Sequence, residues 1–225
     1  MKGIAKSINV GFQPTERELP PALGGVAKRG LDIIGATFGL ILVSPLFVLL
    51  AVLVKLSDGG PIFYGHRRVG RGGRVFHCLK FRTMVVNGEQ ALATYLRDNP
   101  EARAEWEATR KLKTDPRVTR VGVVLRKLSL DELPQIINIL RGEMSIVGPR
   151  PVVHEELENY GNAAVHYLKT RPGLTGLWQI SGRNDVSYDA RVEFDRHYVE
   201  NWSLARDIVI IVKTVPAVCM SRGSY

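Results

Sequence analysis

The sequence predicts a mostly helical α+β protein that has one small β-hairpin and is held in a membrane by an N-terminal helix-break-helix. Three observations support this fold class. An uncharged apolar run covers residues 33–54, about the length that a membrane-inserted helix needs. Two short runs rich in β-branched and aromatic residues surround the glycines of 70–73, as in a hairpin. Most of the remaining chain has apolar residues at helical spacing.

The composition narrows the class of protein. The chain has 225 residues, a net charge of +9 and 45% hydrophobic residues, which suits one folded domain with a membrane segment. The positive charge favours a polyanionic partner, such as nucleic acid, an anionic lipid surface or phosphate substrates, unless it is merely solvated surface. The two cysteines, Cys78 and Cys219, lie far apart, so neither a zinc site nor a disulfide framework is expected and a reducing, cytoplasmic setting fits.

The apolar segment is predicted to enter the membrane and to return to the same side. Ser44-Pro45 stands at its middle, where proline kinks the helix and frees backbone groups that the Ser44 hydroxyl can bond. Basic residues flank both ends of the segment, and such residues mark the cytoplasmic side of a membrane. An ordinary kinked transmembrane helix and a buried core helix are the alternatives. The predicted units are a flexible tail at 1–26, the re-entrant helix at 27–57 and a cytoplasmic domain at 58–225.

Three local features predict structural elements or contacts but no catalytic or binding role. Asp32, at the entry of the membrane segment, either pairs with Arg29 one turn earlier or is an unpaired carboxylate at the interface. Residues 87–112 are good helix formers and predict two helices split at Pro100. Near the C-terminus an apolar face predicts a helix that either lies at the membrane interface or packs in the core.

The stretch 114–151 holds the strongest candidate for chemistry. Its apolar residues predict an amphipathic helix that starts near Ser129. Asp131 and Glu132 lie in the first turn, where the helix dipole stabilises negative charge, and Arg126 lies one turn upstream. A carboxylate held anionic among cations can attack phosphorus, and adjacent carboxylates can bind Mg²⁺. The structural alternative is a capping box between Ser129 and Glu132.

Several other arginines are candidates for binding substrate phosphate, although rigid turns and surface positions would explain them equally well. These arginines are Arg117, Arg120, Arg150, Arg171 and Arg183. Trp178, in the glycine-punctuated loop 171–183 that also carries Arg171 and Arg183, either stacks on a base or packs in the core. The chain has no P-loop and no G-x-G-x-x-G that opens a helix, so the usual nucleotide-binding folds lose support.

Taken together and in order, the motifs resemble the bacterial sugar transferase family, the monotopic polyprenyl-phosphate phosphoglycosyl transferases. The resemblance runs from about Lys28 to the C-terminus. The motifs are KRGLDI, the Ser44-Pro45 break, DGGPIFY, KFRTM, DPRVTR, LRKLSLDELPQ, GEMSIVGPRP, RPGLTGLWQISGR and YVENWSL. The chain looks like the short form of the family, without the extra membrane helices of longer members. It is most similar to the galactose-phosphate transferases that prime succinoglycan-type exopolysaccharide synthesis.

The resemblance implies a reaction and a site. The protein would transfer a hexose 1-phosphate, expected to be galactose 1-phosphate, from UDP-galactose or UDP-glucose to undecaprenyl phosphate and release UMP, as the first step of exopolysaccharide repeat-unit assembly. Asp131 would be the nucleophile that forms an aspartyl phosphosugar and would also bind the Mg²⁺ cofactor, and Glu132 would be its dyad partner. Arg126 and Arg150 match basic positions that bind substrate phosphate. The enzyme would contact membrane lipids at the cytoplasmic face of the bacterial inner membrane.

From the residues alone, two other classes of protein stay open. A non-enzymatic membrane anchor or assembly factor would use the carboxylate pair only as a helix cap, so Asp131→Asn would leave its function intact. A basic nucleic-acid-binding protein would bind DNA or RNA with a strong dependence on salt. The apolar segment and the lack of a reader motif argue against nucleic acid as a partner. A homo-oligomer is compatible with the sequence.

Overall fold

The computed structural model describes residues 21–181 and 187–219. The helices are α1 (Gly25–Asp58), α2 (Gly88–Asp98), α3 (Pro100–Thr109), α4 (Arg120–Lys127), α5 (Gln135–Arg141), α6 (His154–Glu158), α7 (Ala164–Leu168), α8 (Leu177–Ser181), α9 (Tyr188–Glu200) and α10 (Leu204–Cys219). The strands are β1 (Phe63–Val69), β2 (Val75–Phe81), β3 (Ser145–Val147) and β4 (Gly173–Thr175). The antiparallel hairpin β1–β2 and the largely helical remainder confirm the α+β part of the predicted fold class. The sequence did not predict the short parallel pair β3–β4.

Helix α1 has one side on the protein and one side that is apolar and exposed. In the part of the chain that the structure describes, α1 is the one helix long and apolar enough to span a membrane. Its buried positions recur at helical spacing and form one stripe. They are Lys28, Asp32, Ala36, Leu50 and Val54. On the other side Phe38 is 68% and Leu42 69% exposed, and such an exposed apolar face is consistent with association with a membrane.

The two halves of α1 pack on neighbouring parts of the same core. In the first half, Ala36 joins a cluster of buried side chains from β2 and α5, with Met144 beyond α5. In the second half, Leu50 and Val54 join Phe81 of β2 and Leu125 of α4. Residues on both sides of the Ser44-Pro45 dipeptide are therefore held against one domain.

Helix α1 continues through Pro45. A proline has no N–H to donate to the carbonyl four residues earlier, which here belongs to Ile41. The Ser44 hydroxyl donates to this Ile41 carbonyl at 2.8 Å, so the expectation that Ser44 satisfies the freed backbone is confirmed. Because α1 is one helix from Gly25 to Asp58, the predicted break and re-entrant path stay predictions.

The predicted pair between Asp32 and Arg29 is wrong. Asp32 accepts hydrogen bonds from the Ser145 hydroxyl at 2.8 Å and the Ile146 N–H at 2.9 Å. Arg29 donates to two carbonyls at the C-terminal end of α5, at 2.6 and 2.9 Å. Each charged group satisfies backbone groups that the fold buries beside it, and these groups come from residues far along the chain.

The C-terminal helix α10 has one buried face and one exposed apolar face. Ile208 is 50% and Val212 64% exposed, whereas Asp207 is fully buried and Ile210 is 4% exposed. One face of α10 therefore packs in the core, and a position of its exposed apolar face at the membrane interface stays a prediction. Trp178 is 6% exposed with the Arg191 guanidinium 4.9 Å from its ring, so it packs in the core.

A buried acid on α9 makes the stability of the fold depend on pH. Asp195 is 3% exposed and accepts a hydrogen bond from the Tyr160 hydroxyl at 2.8 Å. Burial raises the pKa of the Asp195 carboxyl from 3.8 to about 7, and the Tyr160 hydrogen bond opposes this rise only in part. Because the folded state binds this proton more tightly than the unfolded state, the contribution of Asp195 to stability falls as pH rises from about 4 to about 7 and is then constant.

We expect Asp195→Asn to remove this pH dependence. Asparagine keeps an acceptor for Tyr160 but cannot ionise, so between pH 5 and pH 8 the variant should gain about 2–3 kcal/mol over wild type. Thermal unfolding at both pH values measures the gain. The exposed Asp189 on the same helix provides the matched control, Asp189→Asn. Equal pH responses of the two variants would contradict the assignment to Asp195.

Candidate active site

The carboxylate pair lies in a 3₁₀ turn, not in the first turn of a helix. This turn covers Leu130–Glu132, and α5 begins only at Gln135. Pro134 occupies the N-cap of α5, where its missing N–H costs least, so the helix starts later than the predicted start near Ser129. Ser129 has φ 55° and its side chain makes no capping hydrogen bond, so the capping box is also wrong. Leu133 and Pro134 have helical backbone angles and connect this turn directly to α5, so stabilisation of the pair by the helix dipole stays a prediction.

A lysine of the hairpin contacts both carboxylates. Lys80 Nζ lies 2.7 Å from Glu132 Oε1 and 3.5 Å from Asp131 Oδ2. The Asp131 side chain is 13% exposed and the Glu132 side chain 41% exposed. The site thus has a shielded carboxylate beside an open one, with one ammonium group between them.

A buried asparagine fixes the position of this lysine relative to the turn. Asn138 of α5 is fully buried, and its side-chain carbonyl accepts from the Leu79 N–H at 2.9 Å. Its amide donates to the His77 carbonyl at 2.9 Å and to Glu143 Oε2 at 2.6 Å. Asn138 therefore binds the backbone of β2 and holds α5, with the turn before it, next to Lys80.

The electrostatic forces on Asp131 oppose one another. Burial raises the pKa of the Asp131 carboxyl, and the neighbouring Glu132 charge adds to the rise. Lys80 and, more weakly, Arg126 act in the opposite direction and favour the anion. Burial lowers the pKa of Lys80, but the charges of Glu132 and Asp131 outweigh burial and raise it, so Lys80 stays an ammonium. A poorly solvated carboxylate next to a cation is a suitable nucleophile.

Arg126 is the predicted cation that the structure places nearest to the pair. It lies in the last turn of α4, and its Nε donates to the Thr83 hydroxyl at 2.9 Å, just beyond β2. Its charge acts on Asp131 and on Asp115.

The loop that carries Arg150 is held in place by backbone hydrogen bonds on both sides of this residue. The Pro149 carbonyl accepts from the Gly173 N–H at 2.7 Å, and the Val152 carbonyl accepts from the Val69 N–H at 2.9 Å. Arg150 itself is exposed. Its charge, like that of Lys80, lowers the pKa of the Cys78 thiol, although burial raises that pKa overall.

Among the described residues, the contacts found for the other predicted arginines lie away from the carboxylate pair. Arg117 is bound by Asp115 at 2.6 Å and lies 5.0 Å from the Trp106 ring, and Arg120 is exposed at the start of α4. Arg171 donates to the Gly142 carbonyl at 2.7 Å, at the far end of α5. Arg183 lies outside the described residues. Phosphate binding by these four arginines remains a prediction.

Sequence reasoning missed Lys80 and Asn138. Lys80 belongs to the KFRTM motif and lies on the same strand face as the buried Cys78. Its ammonium group must therefore lie near the core. Asn138 interrupts an apolar helix face, and a polar residue at a core position signals a buried hydrogen bond. Neither pattern identifies the partner.

We expect Lys80→Met to lower kcat by about 10²-fold or more, because it removes the cation nearest to both carboxylates. Without Lys80 the pKa of Asp131 rises further, so the acidic limb of the pH–rate profile should move to higher pH. Steady-state rates across pH measure both effects. Lys80→Arg should keep part of the activity.

The exposed Lys111, in the link between α3 and α4, gives a charge-matched control, Lys111→Met, which should behave as wild type. A Lys80→Met enzyme with the kcat and pH profile of wild type would show that the lysine has no part in the reaction.

Comparison with known proteins shows that the chain is similar to bacterial sugar transferases over nearly its whole length. The sequence model of the bacterial sugar transferase family matches residues 23–221. The chain is 64% identical over 226 residues to the exopolysaccharide production protein ExoY of Rhizobium meliloti, across 100% of both chains. It is 54% identical over 198 residues to the undecaprenyl-phosphate galactose phosphotransferase of Salmonella typhimurium, covering 88% of this chain and 41% of that protein. It is 37% identical over 216 residues to the UDP-glucose:undecaprenyl-phosphate glucose-1-phosphate transferase of Caulobacter vibrioides, covering 92% of this chain and 75% of that protein.

Proposed function

The chain belongs to the bacterial sugar transferase family, and on that premise we propose that it transfers galactose 1-phosphate from UDP-galactose to undecaprenyl phosphate and releases UMP. It is a phosphoglycosyl transferase, so the non-enzymatic anchor is set aside. The observation that carries the proposal is the pair of carboxylates held by Lys80 at 2.7 and 3.5 Å. A shielded carboxylate, an open one and a shared cation provide a nucleophile, a proton acceptor and a charge for the phosphate.

In the first half of the reaction, an Asp131 oxygen attacks the sugar-bearing phosphorus of the donor. A bond forms between this oxygen and phosphorus as the bond from phosphorus to the bridging oxygen breaks, and UMP leaves with the electron pair. In the second half, an oxygen of undecaprenyl phosphate attacks the same phosphorus and restores the Asp131 carboxylate. Glu132, the more exposed carboxylate, accepts a proton from the acceptor when that phosphate arrives protonated. Ping-pong kinetics follow from this order.

The carboxylate pair fits Mg²⁺. This ion is held in proteins by one or two carboxylates together with waters and substrate phosphates. Among the described residues no cluster of three or more Asp, Glu, His or Cys side chains forms a metal cage, so the pair supplies at most two protein ligands. Asp131 would hold the ion, and the ion would neutralise charge on the donor diphosphate.

Two relatives support galactose over glucose as the sugar. The Salmonella protein, named for galactose, is 54% identical to this chain, whereas the Caulobacter protein, named for glucose, is 37% identical. Exopolysaccharide synthesis is supported by the name of the Rhizobium relative, which matches the full chain.

We further propose that α1 enters and leaves the membrane on its cytoplasmic side. A helix that crosses the bilayer carries its two ends to opposite sides, yet Ala36 in the first half and Val54 in the second pack on one domain. The exposed apolar side of α1 and that of α10 would contact lipid. The donor would arrive from the cytoplasm and the acceptor from the bilayer of the inner membrane.

Release of UMP by the purified protein tests the reaction. The protein in lipid nanodiscs is given Mg²⁺, undecaprenyl phosphate and one donor at a time: UDP-galactose, UDP-glucose or an N-acetylated UDP-hexose. We expect turnover with UDP-galactose, and without undecaprenyl phosphate no more than one UMP per protein molecule. Turnover with another donor alone would keep the reaction and reject galactose. No UMP from any donor would reject the proposed function.

A further inference from the structure

One face of the hairpin combines aromatic and basic side chains next to the carboxylate pair. In the register of β1 and β2, Tyr64 lies opposite Lys80, His66 opposite Cys78 and Arg68 opposite Phe76. Side chains two residues apart on a strand share a face, so these three β1 side chains point to the side that carries Lys80. The reaction proposed above gives none of the three a role.

The two rings on this face stand side by side. Tyr64 is 55% exposed although its neighbour on the same strand, Phe63, packs against Phe81 and the Phe47 ring of α1. The ring centroids of Tyr64 and His66 are 6.1 Å apart with an interplanar angle of 45°. The exposed Tyr64 ring, paired with the lysine of the site, is therefore followed by the partly buried His66 ring, at the edge of the core that holds Cys78 and Phe76.

Arg68 sets the hydrogen-bonding character of His66. An Arg68 Nη atom lies 3.2 Å from His66 Nδ1, and a guanidinium can only donate, so Nδ1 accepts and the ring proton is on Nε2. Burial and then the charge of Arg68 lower the pKa of His66, which keeps the ring neutral. The imidazole is thus a flat neutral surface with one N–H donor at its far edge.

We propose that Tyr64 and His66 bind the pyrimidine base of the nucleotide donor by stacking, with the His66 Nε2–H donating to a carbonyl of the base. This inference rests on the proposed function, because it assigns the nucleoside half of the same donor. Tyr64 lies directly opposite Lys80, and His66 lies two residues, about 7 Å, further along the strand, so a base stacked on these rings would lie beside Lys80, with its ribose and diphosphate directed toward the carboxylates. Lys80 and Arg150, whose charge reaches Cys78, supply positive charge there.

The measurement is the dissociation constant of UMP, and separately of inorganic pyrophosphate, for the full chain in nanodiscs with Mg²⁺. We expect Tyr64→Ala and His66→Ala each to weaken UMP binding about 5- to 100-fold and to leave pyrophosphate binding unchanged, because stacking acts on the base alone. Tyr64→Phe keeps a ring and should bind UMP as wild type does. The matched control is His77→Ala, an exposed histidine on the opposite face of the hairpin, which should change neither constant.

Kinetics separate this inference from the reaction itself. For Tyr64→Ala, KM for the donor should rise with kcat near wild type, and KM for undecaprenyl phosphate should stay constant. A rise in KM for undecaprenyl phosphate alone would mean that Tyr64 contacts lipid and would overturn the inference. Unchanged UMP binding in both alanine variants would also overturn it, while wild-type turnover would leave the proposed function standing. A wild type that neither binds UMP nor turns over would reject both.

Discussion

Asp131→Asn is expected to abolish transfer, with a loss in kcat of at least about 10³-fold, because an amide cannot attack phosphorus as a carboxylate does. The substitution keeps the size of a side chain that is 13% exposed, so the fold should be retained. Intact-mass measurement after incubation with donor, without undecaprenyl phosphate, should show a hexose phosphate on wild type and none on the variant.

Two further variants make this result specific. Glu132→Gln should still accumulate the covalent phosphosugar and should slow mainly the second half-reaction, because Glu132 is assigned only proton transfer. Asp189→Asn removes an exposed carboxylate on α9 and should behave as wild type. If Asp131→Asn formed the adduct and turned over normally, the nucleophile would have to be another residue.

Asp207→Ala is expected to destabilise the protein by about 3–5 kcal/mol, because it leaves a buried ammonium without its counter-ion. Lys28 Nζ lies 2.6 Å from Asp207 Oδ2, and the two side chains are 5% and 0% exposed. The Tyr198 hydroxyl and the Trp202 Nε1–H also donate to Asp207, at 2.8 and 3.0 Å. This cluster joins the start of α1 to the start of α10, and thermal unfolding in detergent measures its contribution.

Replacing both partners distinguishes a lost ion pair from a general loss of packing. Lys28→Met combined with Asp207→Leu removes both charges, so this double variant should recover most of the Tm lost by Asp207→Ala. The exposed pair of Arg97 and Asp98 is the control, and Asp98→Ala should leave Tm unchanged. A Tm of Asp207→Ala equal to that of wild type would contradict the role assigned to the buried pair.

The candidate site was predictable where its chemistry lies within a few residues. Adjacent carboxylates at 131 and 132, preceded by Arg126, identify an acidic centre among cations from the amino-acid order alone. The predicted start of the helix near Ser129 was wrong, because α5 begins at Gln135, and the nearest cation is Lys80 of another element. The start of α5 depends on Pro134 at its N-cap and on the left-handed backbone of Ser129. The spacing of apolar residues predicts neither feature.

The fold, like the site, was predictable where it depends on residues close together in the sequence. By itself the sequence determined the apolar α1 with its proline, the β1–β2 hairpin and the split between α2 and α3, because each is set by neighbours within a turn or a strand. Only the tertiary structure decided which charges meet. Lys80 and Glu132 are 52 positions apart, Asp32 and Ser145 are 113 apart, and Lys28 and Asp207 are 179 apart. A charged residue among apolar residues in one segment indicates that a buried charge needs a partner. Packing between distant segments determines which residue that partner is.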